Sequence, residues 1–356
     1  MIKFLHAADL HLDSPFAALS PEKAAQRRRE QRQLLDELAE LCNAERCDLL
    51  LLSGDLFDTE AAWQDTMDVL ARAFRACQAR IFIAPGNHDF YAPGCPYCGA
   101  WPNNVHIFTS QTPESVVIEE LGAEIWGAAF TAPGSPALLE GFHVRDEGLL
   151  NMMVLHGDAE NAAGPYNPIT RAQIASSGLD YLALGHIHAA SGPRQAGRTL
   201  YAWPGCAMGR GFDELGEKGV YLGVLSEQGC QLTFCPLPGR KYEILQVEAG
   251  EDPLAAVAAA LPAHTESDIY RIILTGQSDP LDLRALHSAL ERRFFSLTLR
   301  DQTSPKRDLW ESCGEDTLKG LFLQALRAKR DSSPELCDLA ARFGLAAIEG
   351  WEVSEP

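Results

Sequence analysis

Five stretches of this chain share one pattern: an apolar run of strand length ends in a short motif of Asp, Asn or His. Lys3–Ala8 leads into Asp9-Leu10-His11, and Asp48–Ser53 into Gly54-Asp55-Leu56-Phe57-Asp58. Arg80–Ala84 leads into Gly86-Asn87-His88-Asp89. Asn151–Val154 precedes Leu155-His156-Gly157, and Tyr181–Leu184 precedes Gly185-His186-Ile187-His188. Helical segments separate the first three. Ser20-Pro21 has the form of an N-cap followed by proline at the first helical position. Leu34, Leu35, Leu38, Leu41 and Cys42 then fall on one face at helical spacing, and Trp63–Cys77 also reads as helix. Strand and helix alternate over the first 90 residues, which predicts an α/β layered fold. Polar groups that follow such strands gather at one sheet edge, where open α/β sheets hold their ligands.

The residue types at that edge point to metal chemistry. In an extended segment, residues i and i+2 face the same way, so Asp9 with His11, or His186 with His188, can grip one ion. The donor set mixes carboxylate oxygen, amide oxygen and imidazole nitrogen with no sulfur, which suits manganese, iron or zinc better than calcium. Asp9, His11, Asp55, Asn87, His156, His186 and His188 exceed the needs of one ion. Two divalent ions sharing a bridging Asp satisfy them, and such pairs recur in in-line displacement at phosphorus. Singly, each motif is weak: GDxxD also reads as a turn with a helix N-cap, and His156 as a core histidine. The inference rests on all five in this order, each after an apolar run.

Composition sets bounds on this reading. Of 356 residues, 46% are hydrophobic, enough for a substantial core, yet no apolar run approaches the length of a membrane-spanning helix. Residues 1–13 carry His6 and Asp9 within a short apolar stretch and do not read as a signal peptide. A cytoplasmic protein with no membrane partner is therefore expected, and the 10 cysteines read as reduced thiols. Cys95-Pro96-Tyr97-Cys98 has the CxxC form but no second pair to complete a zinc site, so it reads as two loop thiols. A net charge of −19 argues against a basic nucleic-acid footprint, although bound divalent ions would reverse the sign locally. Arg27, Arg28, Arg29 and Arg32 read either as a phosphate-contacting run or as a solvated helix face balanced by Glu30, Asp36 and Glu37.

Beyond the fifth motif, residues 199–238 become strand-rich. The order from Tyr242 is strand, helix (Asp252–Leu261), strand (Ile269–Thr275), helix (Leu281–Arg293) and strand (Ser296–Arg300). After Pro305 the pattern is helical, chiefly Thr317–Lys329 and Pro334–Phe343. Three domains are expected: a catalytic domain over 1–240, a small α/β cap over 241–300, and a helical, partner-docking region over 301–356.

The motifs, in this order, resemble the calcineurin-like metallophosphoesterases. Within that family His6–Leu12, Gly54–Asp58, Gly86–Asp89, Leu155–Gly157 and Gly185–His188 look most like the SbcD and YhaO group of DNA-repair nucleases. Gly209–Glu214 and Lys218-Gly219-Val220 are also similar to that group, and Leu309–Glu311 to Gly320–Phe322 look YhaO-like. The resemblance implies two packed mixed sheets flanked by helices. It implies that Asp9, His11 and His188 hold one ion, that Asn87, His156 and His186 hold the other, and that Asp55 bridges them. A metal-activated water would attack phosphorus, with His88 as the general acid and Asp58 orienting it. It further implies manganese as the metal, with iron or zinc as alternatives, DNA as substrate, a partner ATPase with a long coiled coil, and a homodimer. Family members that act on phosphoproteins carry Arg after the second Asp of the GDxxD motif; Thr59 stands there, which disfavours that substrate.

The resulting expectation is a manganese-dependent DNA exonuclease subunit of a repair complex, with Arg210 as a candidate phosphate contact. The alternative is a phosphodiesterase or phosphatase for small molecules such as cyclic nucleotides, which the acidity favours and the cap-like module does not. A non-enzymatic scaffold is a third class, opposed by competent residues at every metal and acid position. Leu321, Phe322, Ala325 and Leu326 read either as packed tail or as an exposed docking face.

Overall fold

A computed structural model describes residues 1–161, 163–278, 281–305, 309–330 and 333–349. Parts of the expected helical region, at 306–308, 331–332 and 350–356, lie outside the described residues. The chain forms two compact units, one of residues 1–245, 264–271 and 291–298, the other of 246–263, 272–290 and 299–356.

The first unit opens with β1 (Ile2–Ala7), α1 (Pro21–Ala44), β2 (Leu49–Leu52), α2 (Gln64–Ala76), β3 (Arg80–Ile83) and β4 (Val105–Ile107). It continues with β5 (Glu114–Ile118), β6 (Ala123–Gly127), β7 (Leu150–His156), α3 (Arg171–Ser176), β8 (Tyr181–Gly185), β9 (Arg194–Ala196) and β10 (Thr199–Ala202). β11 (Gly219–Ser226) and β12 (Gly229–Pro236) form a closing hairpin. Two six-stranded mixed sheets result, with orders β12-β11-β1-β2-β3-β4 and β5-β6-β7-β8-β10-β9. β1 through β4 run parallel, as do β6, β7, β8 and β10. The motif-bearing strands therefore end at a common edge within each sheet.

The all-apolar strands follow from burial on both faces. In β2, Leu49 and Leu51 enter the core between the sheets with Phe4, Phe82, Met152 and Val154, while Leu50 and Leu52 lie under the helices. Leu34, Leu35, Leu38 and Cys42 of α1 and Leu70 and Phe74 of α2 cover that outer face. Trp126, Met153, Leu155, Leu182 and Leu184 form the outer face of the second sheet and share a core with Ile174 of α3. Each fully buried Leu contributes roughly 1.5–3 kcal/mol. Ser20 caps α1, accepting from the Lys23 N–H, and Thr170 with Gln173 forms a capping box at α3.

A further three-stranded sheet joins β13 (Tyr242–Glu248), β14 (Ile269–Thr275) and β16 (Ser296–Asp301), and a short pairing joins β15 (Gln277–Ser278) to β17 (Ser304–Pro305). Asp252 caps α4 (Pro253–Ala260). The helix expected over 281–293 is shorter, α5 (Leu283–Leu290), and ends in a 3-10 turn at Glu291–Arg293. In the second unit, α6 (Leu318–Arg327) and α7 (Pro334–Glu349) enclose a small core of Cys313, Leu323, Ala341 and Leu345. Phe322 and Leu326 pack against that core, whereas Leu318, Leu321, Leu336, Leu339 and Phe343 are exposed, so the tail is part packed and part open. No helix of the described residues is long and apolar enough to cross a membrane.

Two readings of the arginine run are corrected. Arg27 is fully buried, bonded to Glu30 and to the Gly209 carbonyl 2.9 Å away, so it neither meets solvent nor reaches a phosphate. Arg32 lies against Asp13 and Thr66.

Candidate metal centre

The expected site residues all come together, but not by extended i, i+2 geometry. β1 ends at Ala7, and Asp9 (φ 51°) and His11 (φ 44°) adopt left-handed backbone, as do Asp55 (φ 49°) and His186 (φ 99°). Sharp turns after the strand ends, and not the pleat, aim these side chains. The turns are zipped together: the Asp9 N–H donates to the Gly54 carbonyl at 3.1 Å and the His11 N–H to the Asp55 carbonyl at 2.9 Å. Glycines permit the contact. A Cβ at Gly185 would sit 1.8 Å from the Ser53 carbonyl oxygen, and one at Gly86 would sit 2.1 Å from Asp55 Oδ1.

Asp9, His11 and His188 present ligand atoms within 4.8 Å of one another, and so do Asp9, Asp55 and His156. Asp55 Oδ2 lies between the two groups, 3.4 Å from His156 Nε2 and 3.7 Å from His11 Nε2. Its other oxygen, Oδ1, accepts the His88 N–H at 3.0 Å. Asn87 Oδ1 faces His156 Nε2 at 3.0 Å and His186 Nδ1 at 3.3 Å. Both Asp9 oxygens accept the His186 N–H, at 3.0 and 3.1 Å. The ring of His88 lies 4.9 Å from that of His11.

Electrostatics fit a cationic occupant. Burial raises the Asp9 carboxyl above its ordinary value; His156 opposes the rise and Asp55 adds to it. Burial also works to raise Asp55, but His156, His11 and the His88 N–H outweigh it and hold Asp55 low. Burial and neighbouring His156 push His186 down to about 4, leaving a neutral imidazole ready to coordinate. His11 Nε2 and His188 Nε2 face each other at 3.2 Å, where only one can donate; a shared cation satisfies both lone pairs. Two buried carboxylates, an amide oxygen and four imidazoles suit divalent ions of the manganese, iron or zinc type.

Four features depart from, or escape, sequence reasoning. Asp58 does meet His88, but through its main chain: His88 Nδ1 lies 3.0 Å from the Asp58 carbonyl oxygen. The Asp58 carboxylate instead pairs with Arg210 at 2.8 Å and lies 3.3 Å from His11 Nδ1. Arg210 is thus no free phosphate contact, because Asp58 and Glu214 both hold its guanidinium. Glu214 was missed as a site residue; it sits 2.8 Å from His188 Nδ1. Burial opposes its ionisation, but His188 and Arg210 hold it well below the usual carboxylate range. The carboxylate–histidine contact fixes the ring of His188 as a ligand-bearing histidine requires. Asp89 was also missed, although it closes the Gly86–Asp89 motif. Fully buried, it accepts the Phe57 and Gly86 N–H groups and the Tyr97 hydroxyl, bracing the loops that carry Asp55 and His88.

Behind the centre, His6 bonds Tyr181 Oη at 2.7 Å and Ser53 Oγ at 2.9 Å, and the Ser53 carbonyl faces His156 Nδ1 at 3.0 Å. Cys95 and Cys98 lie in a 3-10 turn with sulfurs 3.8 Å apart, and all ten cysteines are free thiols.

The calcineurin-like phosphoesterase profile matches residues 2–190, the stretch that supplies Asp9 through His188. A protein of Bacillus subtilis (strain 168) described as the uncharacterized metallophosphoesterase YhaO is 35% identical over 273 residues, 70% of this chain. The match spans 63% of the length of that relative. The crystal structure of a dimetal phosphatase from Danio rerio aligns over 65% of this chain and 95% of its own, with a TM-score of 0.43 and 11% identity. With its two mixed sheets, its edge of Asp, Asn and His, and a profile match over more than half its length, the chain belongs to the calcineurin-like phosphoesterase family.

Proposed function

We propose that this phosphoesterase is a cytoplasmic, manganese-dependent DNA exonuclease subunit of a repair complex. Asp9, His11 and His188 would hold one ion, Asn87, His156 and His186 a second, and Asp55 would bridge them. The observation that carries the two-ion reading is the placement of Asp55 Oδ2 between His156 and His11. When bound, such ions supply Lewis acidity at the phosphoryl oxygens and lower the pKa of an attacking water.

The chain's own groups do the rest. His88, fixed at Nδ1 by the Asp58 carbonyl, presents Nε2 to the leaving oxygen and delivers a proton there. Asp89 and Tyr97 keep the loop of His88 in register. Thr59, in place of a phosphate-binding Arg, supports a diester over a phosphoprotein substrate. Residues 241–300 would cap the substrate. The exposed Leu318, Leu321, Leu336 and Leu339 support the reading of residues 301–356 as the docking segment for a coiled-coil ATPase. A homodimer completes the proposed assembly.

The test is incubation of end-labelled linear duplex DNA with the purified protein and Mn²⁺, beside His88→Ala and a chelator control. Shortening that needs both Mn²⁺ and His88 is expected. If only a bis-ester or a cyclic nucleotide is hydrolysed, even with an ATPase partner added, the substrate is small and the nuclease reading fails. The acidity of the chain, −19 overall, is the observation that favours this second reading.

A further inference from the structure

Large aromatic side chains are normally covered, because leaving them in water forgoes their burial. Among the described residues of Trp, Tyr and Phe, the exposed ones are Trp63 (51%), Tyr166 (38%) and, in α7, Phe343. Tyr166 adjoins the metal centre, and Trp63 is tied through its main chain to the loop that follows His11. The Tyr166 ring lies 5.0 Å from that of His186, tilted by 43°. Its main chain is anchored by a bridge to Ser135, and its carbonyl accepts the Asp158 N–H at 3.2 Å, one residue beyond the His156-Gly157 motif. Trp63 follows the Asp58 loop, and its N–H donates to Asp13, two residues beyond His11, at 2.9 Å.

Trp63 also carries a cation. The Arg28 guanidinium stands 5.2 Å from the centre of its ring and donates to the Pro15 carbonyl. Arg27, Arg32 and Arg210 are committed to carboxylates, whereas Arg28 has no carboxylate partner among the described residues. An exposed aromatic ring with a guanidinium beside it that no carboxylate neutralises is the recurring means by which proteins hold single strands: bases stack on the ring and the cation meets the backbone. Bases within a duplex are stacked on each other and offer no free face.

We propose that Tyr166, on the His186 side of the centre, and Trp63 with Arg28, on the His11 side, are base-stacking platforms that feed the centre a single-stranded nucleic-acid end. This rests on the nuclease reading and adds that the strand enters the centre unpaired, as a free single strand or as the opened end of a duplex.

The test compares two 5′-fluorescein 10-mers of equal charge, oligothymidylate and a fully abasic strand. Binding is followed by anisotropy in a His88→Ala background with Mn²⁺ present. Base-bearing strand is expected to bind about tenfold tighter than abasic strand. Tyr166→Ala and Trp63→Ala should each lower that preference about threefold while leaving abasic binding unchanged, and Tyr166→Phe, which keeps the ring, should retain it. Equal binding of the two strands, no binding of either, or Tyr166→Phe behaving as Tyr166→Ala would overturn the proposal. Cleavage by the wild-type protein is read separately. Mn²⁺-dependent cutting with no base preference in binding sinks the platforms and keeps the nuclease; base-dependent binding with no cutting does the reverse.

Discussion

His6 offers a test of the fold that is independent of any metal. It is fully buried between the two sheets, bonded to Tyr181 on one side and Ser53 on the other. Burial lowers its pKa from 6.5 to about 3. The unfolded chain takes up a proton below pH 6.5, while the folded chain refuses it until about pH 3. Stability is therefore full above pH 6.5 and falls as pH drops towards 3, at about 1.4 kcal/mol per pH unit. Between pH 8.0 and pH 5.0 the loss from this one side chain is about 2 kcal/mol. Other groups titrate over the same range, so the measurement is a double difference. His6→Gln keeps an amide donor and acceptor for Tyr181 and Ser53 but cannot titrate. Urea unfolding of both proteins in chelator at the two pH values should show the wild type losing about 2 kcal/mol more than the variant. Identical acid losses would refute the account, because His6 would then take up its proton without penalty in the folded state.

Further outcomes follow from the same contacts. Glu214→Gln removes the charge behind His188 and should weaken Mn²⁺ binding about 10–100-fold by calorimetric titration, and an unchanged affinity would remove Glu214 from the site. Gly185→Ala drives a Cβ into the Ser53 carbonyl and should destabilise by about 3 kcal/mol or more in thermal unfolding, whereas Gly239→Ala, which meets nothing within 4 Å, should stay within about 0.5 kcal/mol of wild type. Tyr97→Phe leaves the buried Asp89 carboxylate one donor short and should lower stability by about 1–3 kcal/mol; a melting temperature equal to wild type would show that the phenol does not brace the loop.

What the sequence made legible were features set by local period and burial. Leu49–Leu52 read as a strand because both of its faces are covered, and α1 read as a helix from its cap and its Leu34-Leu38-Cys42 stripe. The polar motifs were legible because each follows such a strand. Features that depend on distant partners were not. Arg27 is buried because a carbonyl 182 residues away accepts from it, and nothing in Arg27-Arg28-Arg29 announces that. Glu214 drew notice only as part of a stretch similar to related nucleases; its contact with His188 appears once β11 brings that stretch back beside β1. Asp58 looked like a partner for His88 by side chain, but Arg210 attracts the carboxylate and leaves the carbonyl to do the orienting.

The backbone at the centre is where local preference and function part company. Among non-glycine residues with positive φ, Asp9, His11, Asp13, Asp55 and His186 belong to the site or lie two residues from it. Asp and His are, with Asn, the side chains most often found in left-handed backbone, but each such residue still costs about 1–2 kcal/mol. Taken over the centre, that is a sizeable share of the 5–15 kcal/mol by which a typical domain is stable. Such strain persists only where the surroundings over-determine it. Here the Leu12 N–H donates to the Leu56 carbonyl at 2.9 Å and the Asp58 N–H to the Leu12 carbonyl at 3.0 Å, continuing the β1–β2 pairing past the strand ends. Buried Leu10, Leu12, Leu56 and Phe57 pack beneath. The two loops thus hold each other in conformations neither would keep alone. His186, the furthest from ordinary backbone, is fixed through its N–H by the Asp9 carboxylate. A side chain that could serve as a metal ligand is therefore also the clamp on a neighbouring one. The strain holds the donor atoms convergent, so the ordering needed to bring them together is met on folding and not on binding.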